Sequence, residues 1–363
     1  MAEIAIKTAG ELTPDEREAW RALQGASDDI ASPYFSQAYL DALAEVRGDV
    51  RVAVRREAGA PIGFLALQLG AFGHARPLGG PLSDHHGVIG DFGGAGELCE
   101  DLRRVGVGVF DFHGALATQR PFAGQAAAPE GSWVIDLSDG FEAWRARRKK
   151  PGGNTLRTIL VSQRKMEERH GALSFKFDAA GDDAGEALDA LYAWKSDQYR
   201  RSGHFDVFSV RWTRAFVETL LQAGPGSDAR GVLSTLRVDG RIAAVHFGMM
   251  GRGVIHYWFP AYDPAFQKEG GGNALLVRLL EEAASLGVRE VHLGAGNYRY
   301  KAALADWQFP IVKGFVGQGP AALARSLADQ VERLGARASS GPLRDLPGRA
   351  FRRIDRMAGF RAA

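Results

Sequence analysis

Two landmarks in this chain recur at one fixed distance, and that recurrence restricts the fold more than any single motif does. Residues 52–67, VAVRREAGAPIGFLAL, read as a strand, a turn centred on Glu57-Ala58-Gly59 and a returning apolar strand. Residues 233–248, LSTLRVDGRIAAVHFG, read the same way around Asp239-Gly240, which places Gly240 181 residues after Gly59. Further on, GVGVFDFHG starts at Gly106 after a helical stretch, Glu97 to Arg104, and GVREVHLGAG starts at Gly287 after the helix Ala274 to Leu286, again 181 residues apart. Two separate landmarks with one offset argue for duplication. Each copy runs helix, antiparallel hairpin, helix, strand, which describes an α+β unit with a mixed central sheet. Aromatic-punctuated helical runs precede both hairpins, at Ser32 to Leu43 and Val207 to Leu220.

A chain of 363 residues accommodates two such units and a tail. The boundary is expected within residues 140–175, where the run Trp144 to His170 carries nine Lys or Arg against only Glu167 and Glu168. The expected division is 1–150, 151–319 and an arginine-rich helical tail, 320–363. Hydrophobic residues at 45% and charged residues at 24% exclude a disordered or fibrous chain. A net charge of +2 gives no chain-wide field of the kind that marks a general nucleic-acid binder, so DNA is not an expected partner. The one cysteine, Cys99, excludes an intrachain disulfide framework and a multi-cysteine metal site, and fits a reducing compartment. The N-terminus lacks a basic start followed by an apolar run, and no stretch reaches about 18 apolar residues, so a cytoplasmic location is expected.

Only the second copy contains Gln267-Lys268-Glu269-Gly270-Gly271-Gly272-Asn273-Ala274, set between a strand (Val254 to Phe259) and an amphipathic helix with Leu275, Leu276, Leu279 and Leu280 inward. Glycines at a helix mouth allow close approach of a ligand, and the first-turn amides present the positive end of the helix dipole, a geometry that suits a pyrophosphate. No Gly-Lys-Ser/Thr follows for a P-loop, and the spacing is not that of the dinucleotide fingerprint. Gln267-x-x-Gly270-x-Gly272 resembles the acyl-CoA pyrophosphate loop of the GCN5-related N-acetyltransferases (GNAT). The downstream LGAGNYRYKAALADWQFPIVKGFVG, Leu293 to Gly317, is similar to the end of the domain found in CelD/BcsL-like and FemAB-like proteins. The resemblance spans roughly residues 32–317, and GGPLSDHHG together with the arginine-rich end is similar to a subgroup that acylates holdfast polysaccharide in stalked bacteria.

The resemblance implies two tandem GNAT (acyl-CoA N-acyltransferase) domains. It also implies acyl transfer from acetyl-CoA or another acyl-CoA, or in the Fem branch from an aminoacyl-tRNA, to an amine of a sugar or glycan precursor. The first copy departs from the pattern: Pro77 to Asp91, PLGGPLSDHHGVIGD, has no such loop before a helix. One donor site is therefore expected, with the degenerate half shaping the acceptor groove.

An amine attacking a thioester needs a neutral nucleophile, oxyanion stabilisation and protonation of the thiolate. Tyr300-Lys301 follows the strand Glu290 to Leu293 through a Gly-Ala-Gly turn, which places both near the open end of the sheet. Lys301 matches the lysine of the Fem-like Phe/Tyr-Lys motif, which the resemblance assigns to the developing negative charge; the alternative is a lysine paired with a carboxylate such as Asp306. Tyr300 and Tyr298 are candidate thiolate acids or tyrosines with satisfied hydroxyls. His246, His256 and His292 all fall on strands, where an imidazole can accept the amine proton. His246 shares a face with Ile242 and Ala244 and reads as a core histidine, while of His256 and Tyr257, on opposite faces of one strand, one faces the site. No metal-ligand spacing appears, and Asp84-His85-His86 is too short a cluster for zinc. It reads as an acceptor-binding loop or a polar turn.

Arg145, Arg147, Arg148, Lys149, Lys150 and Arg157 surround the breaker Pro151-Gly152-Gly153-Asn154. They form either a solvated face or a contact for the diphosphate of a lipid-linked or nucleotide-linked sugar, with Arg157 and Arg164 ordered on a helix as candidate acceptor residues. In the tail, Leu323, Leu327, Val331 and Leu334 fall at helical spacing, so a docked stripe is expected. Arg349, Arg352, Arg353 and Arg356 then surround Phe351, Ile354 and Met357 as a basic amphipathic helix, and residues 321–363 hold nine arginines against four acids. Three readings of the tail stand: a packing helix, contact with anionic lipid at the inner membrane surface, or binding of cyclic di-GMP, whose arginine motifs Arg352-x-x-x-Arg356 and Arg352-x-x-Asp355 resemble.

The preferred reading is an acyl-CoA-dependent N-acyltransferase acting on an amino sugar of an exopolysaccharide or cell-surface glycan. A Fem-like transferase using charged tRNA needs a broad basic surface, which the charge balance disfavours. A nonenzymatic regulator with a decayed fold is the third reading, and the intact glycine loop argues against it.

Overall fold

The computed structural model describes residues 2–124, 129–149, 155–224, 226–320, 322–327, 330 and 360. In chain order the first half contributes β1 (Glu3–Lys7), α1 (Pro14–Gly25), α2 (Gln37–Val46), β2 (Val50–Glu57), β3 (Ala60–Leu69), β4 (His74–Pro77), β5 (Ile89–Gly90), α3 (Ala95–Arg104) and β6 (Val109–Leu116). The remainder contributes β7 (Glu130–Asp136), α4 (Phe141–Arg147), α5 (Thr155–His170), β8 (Leu173–Lys176), α6 (Asp182–Ser202), α7 (Arg211–Gln222) and β9 (Arg230–Val238). It continues with β10 (Arg241–Gly251), β11 (Val254–Tyr262), α8 (Gly271–Ser285), β12 (Glu290–Gly294), α9 (Arg299–Leu304) and β13 (Trp307–Gly317).

These elements gather into two compact units: Met1–Ile30, Leu40–Glu130 and Pro310–Ala363 form the first, and Ala31–Tyr39 with Gly131–Phe309 the second. Strand order in the first is β1-β2-β3-β4-β6-β13, and in the second β8-β9-β10-β11-β12-β7. Directions agree strand for strand. The first four are antiparallel neighbours, the fourth and fifth run parallel (β4 with β6, β11 with β12), and the sixth is antiparallel to the fifth. The sixth strands are exchanged: β7 follows β6 along the chain yet pairs with β12, and β13 follows β12 yet pairs with β6 through Ile311–Gly317.

By contacts the chain passes between the units after Ile30, Tyr39, Glu130 and Phe309, whereas the repeat alone suggested residues 150 and 319. A repeat shows where a pattern recurs, but the partner that satisfies a strand's amides lies far away in sequence.

Both hairpins turn through two residues in left-handed conformation, Ala58 (φ 48°) with Gly59 (φ 84°) and Asp239 (φ 47°) with Gly240 (φ 80°). Such turns match the right-handed twist of the flanking strands. Gly106 (φ 83°) and Gly287 (φ 78°) take the same backbone conformation just beyond α3 and α8, where a residue with a Cβ is strained.

The first unit packs α3, through Leu98, Cys99 and Leu102, against Ala53, Leu65, Phe110 and Phe112 of its sheet, and burial pushes the Cys99 thiol up. In the second unit, α5, α8 and α9 cover one face of the sheet, joining Ile255 and Tyr257 in one core cluster. Helices α6 and α7 pack over β9, β10 and β11 from the other side, where Phe216 meets Trp258 at 6.1 Å. The run from Ser32 is a 3-10 turn at Pro33–Phe35 followed by α2, and Ala31–Tyr39 belongs to the second unit. There the Asp228 carboxylate accepts the Gln37 and Ala38 amides at 2.8 and 3.0 Å.

After β13 the tail begins with a helical turn over residues 322–327. Its docked side is not the leucine stripe: Leu323 is 64% and Leu327 54% exposed, while Ala322 is buried. The Arg325 guanidinium donates to Asp111 at 2.6 Å and lies over Phe315, so an ion pair with a partly buried carboxylate sets the helix rotation. Val331, Leu334, Arg349, Arg352, Arg353 and Arg356 lie outside the described residues. Among the described residues no helix is long and apolar enough to cross a membrane.

Candidate functional site

Strands β11 and β12 are paired in register only from Val254 with Glu290 to His256 with His292. Beyond that point β11 runs on to Tyr262 and β12 to Gly294 without pairing to each other, so their C-terminal ends part and the parallel sheet opens there. Ligands of parallel sheets bind outside the carboxyl ends of the strands, because side chains and helix N-termini converge at that edge.

The helix that follows β11 begins at this edge. Gly270 is its N-cap in left-handed conformation (φ 70°, ψ 38°), and its carbonyl accepts the Asn273 and Ala274 amides at 3.0 Å each. The Gly270 amide in turn donates to Gln267 O at 3.2 Å. The expected grip by residues 270–273 therefore narrows to two amides, Gly271 and Gly272, which have no acceptor among the described residues. A Cβ on Gly272 would lie 3.2 Å from the Tyr262 ring. The Gln267 side chain is exposed, and Glu269 is held near Arg169 and His170 at 3.6 and 3.7 Å. Helix α5 fixes the loop from behind, with Gln163 donating to Ala274 O at 3.1 Å.

At the end of β12 the chain curls through Gly294 (φ 71°) and Gly296 (φ 103°). Trp133 of β7 donates to Gly296 O at 3.0 Å, and Lys301 of α9 donates to Ala295 O at 2.5 Å and Gly294 O at 3.4 Å. Lys301 is 7% exposed, and its ammonium lies 5.3 Å from the centre of the Tyr298 ring, which faces outward. Asp306 is not its partner. That carboxylate accepts the Asp136 amide at 3.0 Å and Arg147 at 3.1 Å, and also pairs with Arg148. Half of the basic run is thus spent inside the second unit, since Arg145 also pairs with Glu142.

Of the two alternatives on β11, Tyr257 faces the layer that holds the glycine loop and Tyr300, and His256 faces away, edge-on to Tyr34 at 4.8 Å. Burial, with Tyr300 nearby, pushes the Tyr257 phenol well above its usual range, which keeps it protonated but makes it a poor acid. His246 is buried, stacked on Tyr257 at 4.1 Å, with neither ring nitrogen bonded to another described group. Desolvation, with His256 and Lys195 adding to it, holds it well below the usual imidazole range. His292 is tied to Glu290 at 2.8 Å, and burial outweighs that carboxylate to keep its titration low.

Sequence reasoning missed Lys195. It occupies the inward stripe of α6 with Ala187, Leu191 and Tyr192, is 8% exposed, and donates to Gln198 at 3.1 Å. Burial, and then the charge of Lys301, lower its ammonium from the usual lysine value to about 8. The available signal was a lysine at a position of the stripe that the helical period reserves for apolar side chains.

The remaining candidates divide between the units. Asp84, His85 and His86 belong to the first, where His86 bridges to β6 (His86 N to Gly114 O, 3.0 Å) and its ring packs among Phe110, Phe112 and Phe122. Arg157 and Arg164 lie on the exposed side of α5 in the second, opposite its buried Leu156, Ile159, Gln163 and Met166. Lys150 and Pro151 to Asn154 fall outside the described residues.

Residues 153–302 match the family model of the acetyltransferase (GNAT) domain, a span that includes the glycine loop, Lys195 and Lys301. Among solved structures, FemX is similar with a TM-score of 0.54 and 8% identity, over 82% of this chain and 94% of that one. A conserved protein of unknown function from Bacteroides thetaiotaomicron gives 0.51 and 13% over 86% and 98%. A tandem GNAT protein from the clavulanic acid biosynthesis pathway gives 0.46 and 14% over 88% and 100%. No curated protein sequence matches this chain. The fold is α+β of the GNAT type.

Proposed function

We propose that this protein is an acyl-CoA-dependent N-acyltransferase whose acceptor is an amino sugar of an exopolysaccharide or cell-surface glycan. The observation that carries the reading is the pair of unspent amides, Gly271 and Gly272, at the mouth of α8, where β11 and β12 part. Two N–H groups on the positive end of a 15-residue helix suit the diphosphate of an acyl-CoA. In this reading the thioester lies along the edge of β11 that β12 leaves open, and Lys301, held by two backbone carbonyls, faces the carbonyl oxygen as it gains negative charge. Tyr257 and Tyr300 bound the donor on the α8 side, and Arg157 and Arg164 of the same unit are proposed for the acceptor.

Thermal stability measured with acetyl-CoA, charged tRNA and cyclic di-GMP in separate titrations tests this. A ligand at about 100 times its Kd adds ~2.7 kcal/mol to the unfolding free energy by mass action. Stabilisation by acetyl-CoA is expected. A shift with charged tRNA alone would replace this donor by an aminoacyl-tRNA, and a shift with cyclic di-GMP alone would make the protein a sensor.

A further inference from the structure

A run of rings on one face of the second unit leads from solvent to the place where β11 and β12 part. Trp307 is 43% exposed, Phe309 is half-buried with its ring centre 6.1 Å away, and His292, 5.5 Å from Phe309, is buried. His292 is the last residue of β12 paired with β11, so the opening begins directly beyond it. Its neighbours Val291 and Leu293 join the core under α8, which puts His292 and the rings packed along it on the face of the sheet opposite the glycine loop.

The same face carries a carboxylate that no cation balances. Glu290, two residues before His292, is half-buried and bonded to its Nε2 at 2.8 Å. Burial holds that imidazole below its usual range, so at neutral pH it brings Glu290 a hydrogen bond and no full charge. No lysine or arginine among the described residues pairs with Glu290, whereas its cross-strand neighbour Asp136 has Arg147 at 3.9 Å. A carboxylate set beside aromatic rings suits a cation that also offers an apolar face. An amino sugar has both. The axial C–H bonds of a pyranose lie flat on the electron-rich face of an aromatic ring, its hydroxyl groups stay at the rim in water, and its ammonium supplies the charge. A fatty chain lacks the charge, and a linear polyamine lacks the face.

We propose that Trp307 and Phe309 are the stacking platform of the acceptor and that Glu290, oriented by His292, receives its ammonium, so that the subsite selects a pyranose with an unacetylated amine. The proposal deepens the acyltransferase reading and rests on it: the donor lies on the α8 face, the sugar on the other, and they meet in the gap beyond His256 and His292. Arg157 and Arg164, on the exposed side of α5, are left for a phosphate elsewhere on the acceptor.

The test is binding of chitosan tetrasaccharide, four linked glucosamine units, to the full chain without any acyl-CoA. It is read from the indole 15N–1H resonances, Trp307 being assigned by the loss of its signal in Trp307→Phe. The Trp307 signal is expected to move. The N-acetylated tetrasaccharide, with the same rings and no charge, should bind about tenfold or more weakly, the loss of one charge-assisted hydrogen bond. Glu290→Gln should erase that difference. Trp307→Ala, a change at an exposed side chain, should weaken both sugars about three- to tenfold and leave acetyl-CoA binding unchanged. With acetyl-CoA as donor, the same variant should raise KM for the tetrasaccharide while KM for acetyl-CoA holds. A Trp307 signal that stays still, or that moves as far with spermidine, a ringless polyamine, overturns the proposal. So does equal affinity of the unaltered protein for the two tetrasaccharides. Binding of the glucosamine tetrasaccharide without binding of acetyl-CoA overturns the donor reading and leaves the sugar subsite standing.

Discussion

Lys301 donates from Nζ to the carbonyl oxygen of Ala295 at 2.5 Å, and so the ammonium is fixed by the same Gly-Ala-Gly turn that ends β12. A cation placed by backbone rather than by a mobile carboxylate keeps its position as charge develops beside it, and reorganises little during reaction. Replacing it by methionine removes the charge and frees two carbonyls. Turnover with acetyl-CoA and a competent amine is expected to fall by about 10²–10³, the size of a lost oxyanion donor, with acetyl-CoA affinity nearly unchanged. Steady-state kinetics together with calorimetric binding separate the two effects, and an unaltered kcat would remove Lys301 from the site.

The glycine loop makes three different demands on three neighbouring positions. Gly270→Ala has open space around its Cβ but a φ of 70°, and is expected to cost about 1–2 kcal/mol of stability through backbone strain alone. Gly271→Ala meets Ala243 O at 3.5 Å and Phe266 at 3.6 Å, ordinary contacts, and should change stability by less than about 0.5 kcal/mol. Gly272→Val drives side-chain atoms toward Tyr262, 3.2 Å from the Cβ position, and covers an amide proposed for the diphosphate. It should weaken acetyl-CoA about tenfold or more, the loss of one charge-assisted hydrogen bond. Denaturant unfolding and binding of acetyl-CoA to each variant check the order.

What the sequence revealed was local chemistry. Ala58-Gly59 and Asp239-Gly240 are legible because a two-residue hairpin turn demands left-handed backbone, which glycine and aspartate supply cheaply. The exchange of β7 and β13 was hidden, since an apolar alternating strand carries no mark of which distant edge it pairs with. Alternation put His256 and Tyr257 on opposite faces, but only the packed α8 layer shows which of them shares a face with the glycine-loop helix. Lys195 escaped notice for a related reason: burial of a lysine is a property of what covers α6, not of the residues beside it in the chain.

The carboxylate of Asp306 joins β7 to α4 by accepting the Asp136 amide and both Arg147 and Arg148 in a site where its side chain is 12% exposed. Asp306→Asn keeps an acceptor for the amide and loses the charge, leaving two guanidinium groups without their shared partner. A loss of about 2–3 kcal/mol is expected in denaturant unfolding, the range for breaking a hydrogen-bonded charged pair that is largely out of water. Asp139→Asn is the control. Its carboxylate approaches Arg147 only at 3.7 Å and is 76% exposed, so its removal should be nearly silent.

Three buried imidazoles set the acid limit of the fold. Desolvation is the leading cause in each: His86 and His246 are held well below 6.5 and His292 below it, the last partly offset by Glu290. An unfolded chain binds a proton at each near pH 6.5 while the folded chain does not, so the unfolded state gains protons as pH falls. The stability these three histidines contribute is therefore complete above about 6.5 and declines below it, by ~1.4 kcal/mol per pH unit for every histidine still neutral in the fold. His246→Gln, which stays uncharged in both states, should flatten this decline by up to one proton in the second unit. Leu293 and Ile255 report on that unit through amide hydrogen exchange, and Phe110 on the first. Exchange at pH 7.5 and 5.5 should show the His246→Gln effect at Leu293 and Ile255, with Phe110 retaining the acid sensitivity that His86 confers. Equal pH dependence in the variant and the unaltered protein at Leu293 would mean that His246 is already protonated in the folded chain.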